Sequence, residues 1–219
     1  MGTNLTTSKS LSLEQFKNYI QEGNLIVDAR PSEAFIEQHI PGAVHIPYST
    51  DQSPYLQHIT STSDAILLIC PKNIETSIIA TFEKNNRTIL GYLEGGMETW
   101  KTSPEAQDLI IEVMLDEVEM DIRFDDKIMF IDLRKEEDYE QEHLNDAQNI
   151  PLDEFNDVLN IALLDSEKNI YLYGYTSSDA AIAASLIKKQ GVHNIRIIEG
   201  GYERMRLSDL LTHSSNTKK

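Results

Sequence analysis

Short apolar segments alternate with amphipathic ones along the first half of the chain. Runs of apolar side chains with the length of a strand predict buried strands over residues 25–29, 43–47, 65–70 and 88–93. Apolar residues at helical spacing predict helices over residues 13–20, 32–38 and 75–84, and a last short one near Trp100. Ser12 and Gln15 have the spacing of a capping box that opens the first helix. Strands separated by helices need crossover connections, so this pattern predicts an α/β fold with a mostly parallel sheet and helices on both faces.

The second half of the chain repeats the first. Residues 27–47, VDARPSEAFIEQHIPGAVHIP, align without a gap on residues 131–151, IDLRKEEDYEQEHLNDAQNIP, at a constant offset of 104 residues. The repeat predicts two tandem domains, residues 5–102 and 108–213, each large enough to hold its own core. The terminal segments, residues 1–10 and 212–219, are predicted to be disordered.

Net charge narrows the choice of partners. The chain carries a net charge of -17, and it is unevenly shared: residues 1–102 hold 7 Lys and Arg against 11 Asp and Glu, residues 103–213 hold 10 against 25. Such a surface repels nucleic acid and anionic membranes. A basic protein partner is compatible with it, although an acidic excess also serves solubility alone. With no long apolar run and no apolar signal segment at the N-terminus, we expect a soluble, cytoplasmic protein.

Cys70 is the only cysteine in the chain. A single thiol excludes an intrachain disulfide and a multi-cysteine metal site, and the six histidines lack metal-binding spacing, so we expect neither a metal nor a cofactor. The repeat offset carries Cys70 onto Gly174, which confines thiol chemistry to the first repeat. We expect the Cys70 thiol to be partly accessible, at the mouth of a helix N-terminus.

These motifs together resemble a known domain. In the first repeat, DAR is followed by FIEQHIPGAVHIP, a strand ending in cysteine, and EGGMETW; the second repeat has DLR, YEQEHLNDAQNIP and IIEGGYERM. In this order they resemble the rhodanese (sulfurtransferase) domain, over residues 11–102 and about 108–210. The resemblance implies that the Cys70 thiolate takes a sulfane sulfur from a donor, holds it as a persulfide and passes it to a thiol or protein acceptor. It implies a substrate loop formed by Pro71, Lys72, Asn73, Ile74, Glu75 and Thr76, supported from below by Asp28 and Arg30.

The loop CPKNIET departs from that family's pattern. Many members have glycine and arginine where this chain has Asn73 and Glu75, and Pro71 removes one N–H donor. A carboxylate near the thiol disfavours the thiolate and repels anions, so thiosulfate turnover should be poor and a neutral or protein-bound donor is favoured. The second loop, GYTSSDA, has neither thiol nor arginine: Gly174 and Asp179 stand in those places.

Two further interpretations stay open at this point. The chain can be a catalytically inactive tandem pseudo-enzyme that binds or regulates a protein, with Cys70 as a small apolar residue ending a buried strand. A cysteine phosphatase needs an arginine closing the loop, and the chain has Thr76 six residues after Cys70, which disfavours that class.

Several residues near the first loop recur in the repeat that lacks a cysteine. Asp28, Arg30 and His39 recur as Asp132, Arg134 and His143. Because these residue types are kept where no thiol exists, a structural role is favoured for the Asp and Arg, and the histidines are predicted to fix a turn.

Overall fold

A computed structural model describes residues 10–49, 55–155, 157–208 and 210–213. The chain divides between Asp108 and Leu109 into two compact units. The domain limits 5–102 and 108–213 stay predictions. The terminal segments predicted to be disordered lie mostly outside the described residues; within them, Ser10 belongs to a strand, as do residues 212–213, so that prediction is wrong at these three positions.

The first unit alternates strands and helices. Its elements are β1 (Ser10–Leu11), α1 (Leu13–Gln21), β2 (Leu25–Asp28), α2 (Ser32–Glu37), β3 (Val44–His45), α3 (Tyr55–Ile59), β4 (Ala65–Ile69), α4 (Glu75–Lys84), β5 (Thr88–Leu93) and α5 (Gly96–Lys101). The strands form one parallel sheet in the order β1-β5-β4-β2-β3. The central strand β4, AILLI, is almost wholly apolar because neighbouring strands and helices keep its side chains from water.

Helix α1 begins with the predicted capping box. The Gln15 N–H donates to Ser12 Oγ at 3.3 Å, and the Ser12 N–H donates to Gln15 Oε1 at 3.0 Å. Two N–H groups that the helix cannot satisfy itself are thereby paired, which stabilises the helix by about 1 kcal/mol. Phe16, one turn on, is fully buried and fastens the helix to the core.

The second unit repeats this arrangement. Its elements are β6 (Ile111–Val113), α6 (Leu115–Phe124), β7 (Ile128–Asp132), α7 (Glu136–Gln141), β8 (Glu142–Leu144), β9 (Gln148–Asn149), a 3-10 turn (Leu152–Glu154), α8 (Val158–Ala162), β10 (Asn169–Tyr173), α9 (Ser177–Lys189), β11 (Ile195–Ile198), α10 (Gly201–Met205) and β12 (Leu211–His213). The parallel sheet has the order β6-β11-β10-β7-β9, and β12 pairs antiparallel with β8.

The two sheets have the same strand order, strand for strand, which confirms the α/β fold of two tandem domains. The repeat includes a short antiparallel β-bridge. His39 pairs with Asp108 in the first unit, and the residues 104 positions later, His143 and Thr212, pair in the second. Within the described ranges, no helix has the length and apolar character needed to span a bilayer.

Candidate functional site

The carboxyl ends of β2 and β7 each carry a buried ion pair. Asp28 accepts from the Arg30 N–H at 3.0 Å and from its guanidinium at 2.7–3.0 Å, and Arg30 Nη2 also donates to the Gln38 carbonyl at 2.6 Å. In the second unit, Asp132 and Arg134 form the same pair. Both carboxylates end interior strands and accept loop N–H groups, which agrees with the structural role that the sequence favours. Because each arginine bridges the strand end to the turn beyond the following helix, these pairs fix the backbone on that side of the sheet.

A buried histidine network beside Asp28 escaped the sequence analysis. His45 Nδ1 lies 3.1 Å from the Asp28 carbonyl, which can only accept, so Nδ1 carries the proton and Nε2 accepts from the Ser32 hydroxyl at 2.9 Å. The Phe35 ring stacks on both His39 and His45, with centroids 4.1 and 4.4 Å apart. The second unit has Asn149 in place of His45, a difference visible in the repeat alignment but without meaning until the packing is known.

We expect His45 to make the first unit sensitive to acid. Burial lowers the pKa of His45 to about 3, below its unfolded value of 6.5. The neutral ring therefore stabilises the fold above pH 6.5, and this contribution is lost as pH falls from 6.5 towards 3. His45→Asn, which copies the second unit, should reduce the free energy of unfolding that is lost between pH 6.5 and 4 by on the order of 2 kcal/mol.

Urea unfolding followed by Trp100 fluorescence measures this effect, because Trp100 is the only tryptophan and lies in the first unit. His58→Asn removes an exposed imidazole of the same unit and serves as the control. Parallel stability curves for the natural chain and His45→Asn would contradict the assignment.

Cys70 directly follows β4, at the start of the loop that leads into α4. Its side chain is buried, with 6 % of the residue exposed, so the predicted partial accessibility is wrong. The pKa of the Cys70 thiol is raised to about 12, mainly by burial and in addition by the nearby carboxylates of Glu75 and Asp28. Among the described residues, no N–H group donates to the thiol. A neutral thiol in an acidic, dry environment is a weak nucleophile.

The remaining loop residues reach the surface to different degrees. Lys72, Asn73 and Thr76 are exposed, and Pro71, Ile74 and Glu75 are partly exposed. Asn73 has φ 70°, the left-handed conformation that glycine adopts most readily and asparagine tolerates better than most residues. Asn73 therefore keeps a backbone turn at the position where the resemblance implies glycine. Glu75, at the first position of α4, raises the pKa of the Cys70 thiol more than Asp28 does.

Comparison with protein-family models matches the chain twice, at residues 12–103 and 115–207, to the model described as the rhodanese-like domain. The chain belongs to the rhodanese-like domain family. The search of curated proteins gave no match. Cys70 thus lies in the first rhodanese-like domain, and Gly174 holds the equivalent place in the second.

Three of the solved structures that resemble the chain are compared with it by identity, coverage and TM-score. A protein of Bacillus halodurans is 23% identical, over 48% of this chain and 77% of that one, with a TM-score of 0.44. The rhodanese-like domain of an Anabaena protein is 16% identical, over 49% of this chain and 84% of that one, with a TM-score of 0.43. Thiosulfate sulfurtransferase from Pseudomonas aeruginosa is 13% identical, over 94% of this chain and 44% of that enzyme, with a TM-score of 0.41.

The loop of the second rhodanese-like domain is shorter and closed. Helix α9 begins at Ser177, two positions earlier relative to the repeat than α4 does. Asp179 Oδ2 accepts from the Thr176 N–H at 3.0 Å, which is one half of a capping box, and it also accepts from the Thr176 hydroxyl at 3.2 Å. The chain itself thus supplies the negative charge at this helix terminus.

Each domain has a pair of glycines at the start of a short helix, Gly95 and Gly96 in the first and Gly200 and Gly201 in the second. The second glycine of each pair packs against a backbone carbonyl of the loop. A Cβ on Gly96 would lie 3.2 Å from the Cys70 carbonyl oxygen, and one on Gly201 would lie 2.8 Å from that of Gly174. The Tyr202 N–H donates to the same Gly174 oxygen at 2.8 Å. This close approach of the loop leaves little room for a side chain at either position, which favours glycine there.

Aromatic side chains cover the buried arginine of the second domain. The Tyr202 ring stacks on Arg134, with the guanidinium carbon 3.8 Å from the ring centre, and its hydroxyl donates to Glu142 at 2.7 Å. The Tyr175 hydroxyl, within the loop, donates to Asp138. These contacts hold the second loop against its domain. When Gly95 and Gly96 are aligned with Gly200 and Gly201, Met97 takes the place of Tyr202 in the first domain. At the repeat offset of 104 residues, Pro71 takes the place of Tyr175.

Proposed function

We propose that the chain is a slow sulfane-sulfur carrier that uses Cys70 of its first domain, while the second domain performs no sulfur chemistry. The observation that carries the proposal is the position of Cys70 between the end of β4 and the helix α4. Membership in the rhodanese-like domain family supports it. The loop residues Pro71 to Thr76 would face the sulfur donor, and Asp28 and Arg30 would hold the strand end beneath them.

The chemistry needs two balanced transfers. The Cys70 thiolate attacks the outer sulfur of a hydropersulfide, a new S–S bond forms, the donor's S–S bond breaks, and the donor leaves as a thiolate. An acceptor thiolate then attacks the outer sulfur of the Cys70 persulfide and releases Cys70 as a thiolate. Neither step changes the overall redox state, so neither needs a cofactor.

The charge around the thiol selects among donors. Thiosulfate carries two negative charges and would approach Glu75, whereas a neutral or protein-bound donor meets less repulsion. The burial of Cys70 requires the loop to open before a donor can reach the sulfur. We therefore propose slow transfer, with a protein or a small hydropersulfide as donor and a thiol or protein as acceptor.

A non-catalytic role is the second candidate, and one observation favours it. Cys70 is buried and its pKa is raised to about 12, which suits a structural strand end better than a nucleophile. In that case both rhodanese-like domains would act as a protein-binding or regulatory module.

Intact-protein mass spectrometry separates the two candidates. After incubation with a small hydropersulfide, we expect the natural chain to gain the mass of one sulfur atom over minutes to hours, and to gain much less from an equal concentration of thiosulfate. Subsequent addition of a thiol acceptor should remove the added sulfur.

Cys70→Ser is the control, because it removes the only thiol and should abolish the gain. A natural chain that gains no sulfur from either donor, while denatured chain does, would establish the non-catalytic candidate. Rapid turnover of thiosulfate would instead show that the charge of the loop has been misjudged.

A further inference from the structure

A groove of about 340 Å³ opens on the second domain. Its apolar part includes Ile122, Phe130 and Leu144, and three carboxylates, Asp125, Asp126 and Asp146, also line it. In the part of the chain that the structure describes, no lysine, arginine or histidine lines the groove. We refer to it below as the acidic groove.

The acidic groove lies away from the loop that corresponds to the family's reactive site. Ile128, at the start of β7, lines it and pairs with Asn169 at the start of β10, whereas Gly174 follows the other end of β10. Five strand residues separate these ends, or roughly 17 Å. The acidic groove is therefore distinct from the Gly174 loop.

Three exposed apolar side chains lie on α6, and one of them, Ile122, lines the groove, whereas Met120 and Phe124 are each two positions away and project from the opposite side of the helix. Phe124 is 84 % exposed, Met120 is 60 % exposed, and Ile122 at the groove itself is 44 % exposed. Over the described residues, every large apolar side chain that is exposed lies in the second unit, between Leu109 and Leu207. The exposed Ile122 and the apolar part of the groove together offer a partner one continuous apolar contact.

The charge around this apolar surface is strongly negative. Residues 115–127 contain six Asp and Glu against one Arg and one Lys, and residues 109–219 contain 23 against 12. Asp125 accepts from the Lys127 N–H at 2.8 Å and from the Asn169 amide at 2.5 Å, and these hydrogen bonds lower its pKa and keep it charged. Asp126 and Asp146 are exposed at the rim.

We propose that the acidic groove binds a basic amphipathic segment of another protein. An apolar side chain of the segment enters the groove, and lysine or arginine side chains lay their aliphatic stems on Ile122 while their charged ends reach Asp126 and Asp146. A second copy of this chain is a poor occupant, because its net charge of -17 repels an equally acidic surface.

A synthetic helical peptide of about 14 residues, with leucines on one face and lysines on the other, tests the proposal. Fluorescence anisotropy of the labelled peptide measures its affinity for the full chain. We expect binding that weakens about tenfold when the leucines are replaced by serine, and is lost when the lysines are replaced by glutamate. Asp126→Asn with Asp146→Asn should weaken it about tenfold, as should Ile122→Glu.

The matched control is Glu136→Gln with Glu137→Gln, which removes two exposed charges from α7 of the same domain and should change affinity less than twofold. Equal weakening by the control would reduce the binding to general charge attraction and overturn the proposal, as would indifference to the leucines. Light scattering that shows a dimer dissociated by Ile122→Glu would make the second copy the occupant and overturn it as well.

Discussion

Gly174→Cys is expected to destabilise the second rhodanese-like domain instead of giving it a reactive thiol. A Cβ on Gly174 would lie 2.5 Å from the Asp179 Cβ, far closer than carbon atoms approach without a bond. Relief requires movement of the first turn of α9, which breaks the capping box between Thr176 and Asp179. Overpacking of this kind costs about 1–3 kcal/mol and the lost cap about 1 kcal/mol, so we expect the melting temperature of this domain to fall by roughly 10–20 °C.

Circular dichroism follows the unfolding of the whole chain, while Trp100 fluorescence follows the first domain and should change little. Gly174→Ala adds the same Cβ without a thiol and should destabilise similarly. Glu136→Cys adds a thiol to an exposed position of α7 and should shift the melting temperature by less than about 2 °C.

The same variant tests whether the second loop can carry sulfur. In a Cys70→Ser background, Gly174→Cys should gain no sulfur from a hydropersulfide while the domain is folded. A stable variant that accepts sulfur would show that the loop has room for a thiol and that its closed geometry is not what silences the second domain.

Glu75→Arg is expected to activate Cys70. Replacement of the anionic side chain by a cation near the sulfur favours the thiolate and should lower the pKa of Cys70 by about one unit or more from about 12. At a fixed pH between 7 and 9, the thiolate fraction and the rate of alkylation by iodoacetamide should then rise about tenfold. Thiosulfate turnover should rise by at least as much, because the repulsion of the donor is removed as well.

The pH dependence of alkylation distinguishes a change in pKa from a change in access. A lowered pKa shifts the logarithmic rate curve along the pH axis, whereas a loosened loop also speeds the reaction with uncharged disulfides at every pH. Glu83→Arg makes the same charge change near the other end of α4 and should alter the rate less than twofold. An equal effect of Glu83→Arg, or none from Glu75→Arg, would remove the electrostatic explanation.

The predicted elements that match the structure most closely are those with strong local signals. The strand over residues 88–93 and the helix over residues 75–84 agree with β5 and α4 in both bounds, and the capping box at Ser12 is present. A helix or strand that is buried on one face has apolar residues at regular spacing, and this spacing can be seen in a short stretch of sequence. Two short elements, β1 and α3, were not predicted, because two to five residues carry too little periodicity.

The candidate site was also predicted only in part. The sequence identifies Cys70 as the only thiol, aligns it with Gly174, and shows Glu75 where the family resemblance implies arginine. The accessibility of Cys70 was predicted wrongly, because burial of a side chain depends on everything packed around it in space. The sequence of the Cys70 loop alone does not show how deeply the side chain is buried.

By itself, the sequence determined that this protein consists of two α/β domains of one family, with a single thiol and an acidic second half. Those properties follow from periodicity, repetition and residue identity, all of which can be read along the chain. Only the tertiary structure decided that Cys70 is buried, that Asp179 occupies the space a side chain at position 174 would need, and that His45 is neutral beside Asp28. The acidic groove likewise exists only in the folded chain, because its lining residues, such as Ile122 and Leu210, are far apart in the sequence. Distances, solvent access and pKa values all depend on residues that folding brings together.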